Sequence, residues 1–329
     1  MSSPLLEVRD LRTEFRTKEG VVRAVNSVSF DLAAGEALGF VGESGSGKSV
    51  TALSILRLFG PFTDERIAGQ VLYDGRDLLE LGGNRMRKIR GREIGMIFQD
   101  PLTSLNPLMP VGQQVAECIR LHESVSRDVA TRRATDLLEL VGIPDPKNRV
   151  DDLPHSFSGG MRQRIMIAIA VACKPRILIA DEPTTALDVT VQAQILLLLN
   201  DLQREFGMAL IMISHDFGVV AATCDRVNVM YGGRIVEHAY TEELFRSANH
   251  PYTEGLLKLV PSLEQRRGEQ LVPISGQPPD VFDMPPGCSF APRCPHVVGL
   301  CNEKKPELTV LGPSHGSACW MAEQRRLPR

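Results

Sequence analysis

The sequence predicts an α/β fold: a mainly parallel sheet with helices on both faces, an antiparallel β edge, a helical subdomain and a small cysteine-rich C-terminal extension. Three observations carry this reading. Short strand-type and longer helix-type segments alternate through residues 1–249, the pattern of parallel strands joined by helical crossovers. Two brief apolar runs, 37–41 and 177–180, have the character of buried central strands, and each runs into a polar loop. Near Asn249-His250-Pro251 the pattern breaks and Pro, Gly and Cys take over.

Taken in order, the N-terminal third reads as strands. Residues 5–15 alternate loosely, and 25–32 alternate well, with Val28, Phe30 and Leu32 on one face. Gly35-Glu36 turns the chain into the 37–41 strand, a Gly-rich loop follows, and residues 50–58 are apolar at helical spacing. A further strand, 94–98, ends at Gln99-Asp100-Pro101. Within 111–173, Ala130, Ala134, Leu137, Leu138 and Val141 form a helical stripe, and 161–173 is apolar nearly all round, as in a buried helix. This span reads as a helical subdomain inserted before the 177–180 strand. A helix over 189–206 and a strand over 210–214 come next. The expected division is a main domain, 1–249, and an extension, 250–329, whose thin apolar supply would fold poorly alone.

Composition excludes several classes. Hydrophobic content of 43% and charged content of 23% are those of an ordinary globular chain. A net charge of −3 gives no reason to expect a nucleic-acid partner. No apolar run reaches the ~18 residues that span a bilayer, and the longest candidate, 165–173, stops at Lys174-Pro175. The first residues, MSSPLLEVRD, lack a basic region followed by an apolar core, so no signal peptide is expected. A cytosolic protein follows, one that reaches a membrane only by docking on partners that span it. Seven cysteines, an odd number, fit a reducing compartment.

Three stretches carry chemistry. GESGSGKS, 42–49, fits the phosphate-loop pattern at every fixed position. Gly42, Gly45 and Gly47 free the backbone to turn N–H groups inward, with Ser44 and Ser46 between them. Lys48 adds a point charge at the β and γ phosphates, and Ser49 offers a hydroxyl to Mg²⁺. Val50 continues the helix whose positive end faces the anion. In ILIADEPTTALD, 177–188, Asp181 stands at the tip of a buried strand, where a carboxylate can hold Mg²⁺ through water. Glu182 beside it is placed to orient or deprotonate an attacking water. An isolated acid pair would more often be a solvated loop; the upstream phosphate loop reverses that. In FSGGMRQR, 157–164, Ser158, Gly159, Gly160 and Met161 open a helix with one hydroxyl and bare N–H groups.

In this order the three stretches resemble the ATPase subunits of ABC transporters, over residues 5 to about 249. The resemblance implies ATP and Mg²⁺, and further roles. Gln99 becomes the loop glutamine that touches Mg²⁺ and senses membrane subunits. Asp188 sits in the loop that crosses between two ATPases, and His215 is the switch histidine at the γ-phosphate. Phe15 is the aromatic under adenine. Ser158, Gly159, Gly160 and Met161 serve the ATP held by an opposite subunit, so the protein needs a partner. The signature departs from the common LSGGQ form: Phe157 replaces Leu and Met161 replaces Gln, while the Ser-Gly-Gly chemistry is kept.

Asn249-His250-Pro251-Tyr252, GESGSGKS and FQDPLTSLNP (98–107) resemble the oligopeptide, dipeptide and nickel importers of that family. The importer resemblance implies two membrane permease subunits, a second homologous ATPase forming a heterodimer, and an external peptide-binding protein acting indirectly. It also implies a peripheral position on the cytoplasmic face of the inner membrane. Cys288, Cys294, Cys301 and Cys319 have spacing C-x5-C-x6-C-x17-C, unlike a paired zinc ribbon. Thiolate-only coordination suits an iron–sulfur cluster, with zinc or unligated thiols as alternatives. The resemblance implies a 4Fe–4S cluster there, as a structural staple first and a redox sensor second. The competing readings are a soluble ABC ATPase of DNA repair or translation, an importer of nickel or another small solute, and an exporter cassette.

Overall fold

The computed structural model describes residues 3–185, 187–260, 273–280 and 282–325. The chain forms two compact units. One comprises Met1–Leu32, Ala37–Leu79 and Ser214–Arg329, the other Ala33–Glu36 and Glu80–Ile213.

In the first unit, strand Leu6–Arg16 lies between Val21–Leu32 and Glu65–Tyr73, antiparallel to both, and the short Arg76–Asp77 completes this sheet. The loose alternation of the first strand has a physical cause. Its pairing register slips between Val8 and Leu11, where Asp10 takes φ 48°. The irregularity leaves Leu11 and Thr13 buried like Leu6 and Val8, although simple alternation would have exposed them. Thr13 Oγ1 then meets Ser54 Oγ at 2.6 Å, joining this sheet to the helix Lys48–Leu56.

The second sheet of this unit starts from Ala37–Val41, buried at every residue. It pairs in parallel with Arg226–Tyr231, which continues antiparallel into Arg234–Tyr240, His315–Ser317 and Thr309–Gly312. The last two strands come from the extension. Among the described residues, His315–Ser317 thus takes a sheet edge built by Arg234–Tyr240, and Thr309–Gly312 extends it. An aromatic cluster adds to the anchor: the rings of Tyr231, Tyr252 and Phe290 stand 4.5–5.4 Å apart. The extension's segment 261–272 lies outside the described residues.

The Asn-His-Pro-Tyr segment has a local logic. His250 caps the helix Pro251–Leu257, its Nδ1 accepting the Tyr252 N–H at 3.1 Å, and Pro251 occupies the first turn, where no N–H is missed. The helix therefore begins at the proline and ends at Leu257. Asn249 and His250 N–H groups donate to the fully buried Glu237 carboxylate at 2.6 and 3.0 Å.

In the second unit, Ile94–Ile97, Ile177–Asp181 and Ala209–Ser214 run parallel. Helices Val111–His122, Arg127–Leu140 and Gly159–Val171 lie between Ile94–Ile97 and Ile177–Asp181 in the chain. Ala130, Ala134, Leu137 and Leu138 make the buried stripe of the second. The third starts two residues before the expected 161 because Ser158 caps it. Val189–Phe206 spans the expected 189–206. Among the described residues no helix is long and apolar enough to cross a membrane.

Candidate functional site

Residues 42–49 form a loop between the strand Ala37–Val41 and the helix Lys48–Leu56. Gly42, Gly45 and Gly47 take φ of 153°, 77° and 100°. At Gly42 a Cβ would stand 2.2 Å from the Met230 carbonyl oxygen, and at Gly47 2.4 Å from that of Ala24. Both need glycine for space as well as for backbone conformation. Lys48 is buried, its Nζ donating to the carbonyls of Gly42 at 2.7 Å and Glu43 at 3.0 Å and to Ser46 Oγ at 3.4 Å. The lysine is thus held across the concavity of its own loop. Ser44 and Gly45 are exposed at the rim, and Ser49 and Val50 are half-buried in the first helical turn.

In the second unit, Asp181 ends its strand and is buried. Glu182 follows with φ 47°, a left-handed conformation that costs a non-glycine residue strain. Its carboxylate is fixed from two sides: Gln99 Nε2 and Thr185 Oγ1 each donate to Oε2 at 2.9 Å. Gln99, expected on Mg²⁺, is here brought to Glu182. Thr185 escaped the sequence reading; its place three residues after the acid, inside PTT, was the available signal.

Ser158 caps the helix Gly159–Val171, its side chain accepting the Met161 N–H at 3.3 Å, and Ser158 and Gly159 are exposed. The substituted signature positions are filled by packing. Phe157 is buried under the Arg149 guanidinium, 4.1 Å from its ring centre, and Arg149 Nη1 approaches Met161 Sδ at 3.7 Å. Gly160 sits where a Cβ would come within 2.7 Å of Val191. Asp188 caps Val189–Phe206, Oδ1 accepting the Val191 N–H at 2.9 Å.

His215 is exposed in the turn after Ala209–Ser214, next to Asp216, which caps Phe217–Thr223. Phe15 is half-buried and packs edge-on against Phe59, ring centres 5.3 Å apart.

None of the seven cysteines is joined in a disulfide. Among the described residues no group of three or more His, Cys, Asp or Glu side chains is arranged to hold a metal ion. The iron–sulfur site expected on Cys288, Cys294, Cys301 and Cys319 therefore has no counterpart in the arrangement of these side chains. They are nonetheless electrostatic neighbours. Burial, reinforced by the charges of Cys301, Cys319 and Cys294, pushes the Cys288 thiol up to about 11. The Cys288 N–H donates to the Cys301 carbonyl at 2.7 Å, and the His296 N–H approaches Cys294 Sγ at 3.4 Å.

The extension also supplies a residue that the sequence did not single out, Arg293. Arg293 pairs with Glu43 of the phosphate loop, and Tyr252 Oη accepts the Glu43 N–H at 2.8 Å.

Comparison with known proteins places this geometry. Residues 25–185 match the family described as ABC transporter, and 236–301 match the oligopeptide/dipeptide transporter C-terminal region. The chain is 50% identical to the dipeptide transport ATP-binding protein DppD of Bacillus subtilis, over 98% of this chain and 96% of that one. It is also 50% identical to the oligopeptide transport ATP-binding protein OppD of Salmonella typhimurium, over 96% and 93%. Among solved structures, a dimeric post-hydrolysis state of the ATP-binding cassette MJ0796, bound to ADP and Pi, superposes with a TM-score of 0.64. That match has 27% identity and covers 72% of this chain and 98% of the cassette. With a cassette model and a peptide-transporter C-terminal region matched in one chain, and half of its residues shared with such proteins over nearly full length, the protein belongs to the ATP-binding subunits of ABC transporters, in the oligopeptide/dipeptide branch.

Proposed function

We infer that the chain is the ATP-hydrolysing subunit that powers peptide import through an ABC transporter. The observation that carries this is the 50% identity to dipeptide and oligopeptide transport ATP-binding proteins across more than 90% of both chains. Repair, translation and export cassettes are not favoured by a match that includes the peptide-transporter C-terminal region.

The site residues divide the work. Gly42, Ser44, Gly45, Ser46, Gly47 and Val50 shape the phosphate cradle, Lys48 supplies its cation, and Phe15 stacks under adenine. Ser49, Gln99 and Asp181 would hold Mg²⁺, which when bound neutralises phosphate charge. Glu182, held by Gln99 and Thr185, orients the attacking water, and His215 contacts the γ-phosphate. Ser158, Gly159, Gly160 and Met161 act on the ATP of a second, homologous subunit, with Asp188 in the loop between the two. The functional division is 1–249 for the nucleotide and 250–329 for the extension, with 111–173 as the helical subdomain. Partners are two membrane permease subunits and, indirectly, an external peptide-binding protein, with this chain peripheral on the cytoplasmic face of the inner membrane.

Cys288, Cys294, Cys301 and Cys319 would hold a 4Fe–4S cluster. The reading rests on donor type alone: four cysteines in one segment, the Cys288 thiol influenced by Cys301, Cys319 and Cys294, and the His296 N–H near Cys294 Sγ. Such a cluster would supply a covalent cross-link to the extension.

Purification of the tagged chain from cell membranes tests the main reading. Permease subunits should co-purify, and Glu182→Gln should abolish uptake of labelled peptide. Recovery with ribosomes or DNA ends and no permease would overturn it.

A further inference from the structure

We propose that Arg293, in the cysteine-bearing extension, is a positioning residue for nucleotide binding: through Glu43 it sets the backbone and the charge of the phosphate loop. The proposal rests on the reading of residues 42–49 as the nucleotide-binding loop.

A loop that binds phosphate should avoid carboxylates, yet its second residue is Glu43. At short range a like charge in a partly buried setting repels an incoming anion strongly. The structure shows what offsets it. The Arg293 guanidinium grips the Glu43 carboxylate through two parallel bonds, Nη1 to Oε2 at 2.6 Å and Nη2 to Oε1 at 3.0 Å. The arginine side chain is only 4% exposed and the glutamate 27%. Such a two-bond fork fixes direction as well as charge.

The arginine is itself fixed. Its Nη1 donates to Tyr231 Oη at 3.2 Å, Nε to the Ser275 carbonyl at 3.1 Å, and Nη2 to that of Ile274 at 3.4 Å. The hydrogen bonds to Glu43 raise the guanidinium above its ordinary pKa, so the arginine keeps its charge.

Glu43 is held at every polar group. Its N–H donates to Tyr252 Oη at 2.8 Å, and its carbonyl accepts the Ser46 N–H at 3.2 Å and Lys48 Nζ at 3.0 Å. One chain of bonds therefore runs from Arg293 through Glu43 to Lys48. A cleft of about 80 Å³ beside it is lined by Glu43, Ser44, Gly45 and Ser46 from the loop and by Pro278 and Met284 from the extension. Packing around the loop is thus shared between the cassette and the extension.

A mere anchor for the extension would predict something different, and a charge-removal cycle separates the two. The readout is equilibrium binding of a fluorescent ATP analogue with Mg²⁺ to the full-length chain, at several salt concentrations. Arg293→Met leaves Glu43 unpaired and should weaken binding about tenfold, the scale of a lost charged hydrogen-bond pair. Adding Glu43→Gln to that variant removes the repelling charge and should restore most of the affinity, although the anchor stays broken. Arg293→Lys, which keeps the charge and loses the fork, should fall between, and serves if Arg293→Met does not fold. Lys48→Ala is the reference. If Lys48→Ala binds like wild type, the nucleotide reading of the loop falls and this proposal with it. If Lys48→Ala weakens binding while Arg293→Met does not, or if Glu43→Gln rescues nothing, the proposal alone is overturned.

Discussion

Gln99 Nε2 and Thr185 Oγ1 donate to the same oxygen of Glu182, so the acid's direction is set by Gln99 from outside its own turn, across 2.9 Å. The left-handed backbone at Glu182 adds a second constraint. Strain of this kind persists where the surroundings over-determine it. Glu182→Gln keeps size and removes the basic carboxylate. Nucleotide binding should be unchanged, while turnover should drop about 10²-fold or more. Steady-state phosphate release checks this; hydrolysis at a near-wild-type rate would remove Glu182 from its role.

Lys48→Ala removes the buried ammonium that bonds the Gly42 and Glu43 carbonyls. Both the phosphate's cation and the brace of the loop go together. Nucleotide affinity should fall at least about tenfold, as for the loss of a charge-assisted bond. A fluorescent-nucleotide titration that shows unchanged affinity would mean that the loop is not the nucleotide site.

The loop and acid residues were legible because each chemistry imposes a local pattern. A phosphate cradle needs glycines at fixed spacing, and a buried strand ahead of an acid reads as a short apolar run. Central strands and long helices were legible for the same reason: 37–41 and 189–206 carry their periodicity within a few residues. The extension was not. His315–Ser317 pairs with the edge that Arg234–Tyr240 offers, Thr309–Gly312 pairs in turn with His315–Ser317, and no short window of sequence announces a borrowed edge. Arg293 and Glu43 are separated by 250 positions, so nothing local links them. Asp10 hid the first strand's periodicity by shifting its phase midway.

Ser158→Arg should leave ATP binding to the isolated chain intact and block hydrolysis in the assembled transporter. The exposed serine caps its helix, and loss of that cap costs about 1 kcal/mol, too little to unfold the unit. The bulky cation instead obstructs the helix start offered to the partner subunit. Failure of the isolated variant to bind ATP would show that Ser158 does not act in trans.

His315 predicts a pH dependence. Its Nε2 lies 2.9 Å from Glu237 and its Nδ1 3.0 Å from Glu243. Burial works against the imidazolium, but the bonds and charges of Glu237 and Glu243 outweigh it and raise the pKa above the ordinary value. A raised folded-state pKa stabilises fully below the unfolded value of about 6.5 and loses that contribution as pH climbs through the folded value. Neighbouring His238 shifts the other way, lowered by burial and by Arg226 and His315, so its contribution is lost on acidification instead. The difference in thermal midpoint between wild type and His315→Gln should therefore shrink as pH rises from about 6 to about 9. A difference that is flat across this range would mean that the histidine is neutral in the folded protein.

The four cysteines of the extension give the last prediction. Cys288 and Cys301 are tied through their backbones at 2.7 Å, and the electrostatics of Cys288 register the other three thiols. Under the cluster reading, a segment whose strands add to the edge of another sheet would gain from a metal cross-link. Protein purified without oxygen should be brown, with broad visible absorbance and about four irons per chain. Changing Cys288, Cys294, Cys301 or Cys319 to Ser should lower iron content and speed protease cleavage of the extension. Cys118, Cys173 and Cys224 lie outside the 288–319 segment; serine at these positions should change neither readout. Colourless protein with stoichiometric zinc would replace the cluster by a zinc site. Protein with neither metal would remove the cluster from the account of the extension, leaving the sheet edge, the aromatic cluster of Tyr231, Tyr252 and Phe290 and the Arg293–Glu43 pair among its described anchors, with the ATPase assignment untouched.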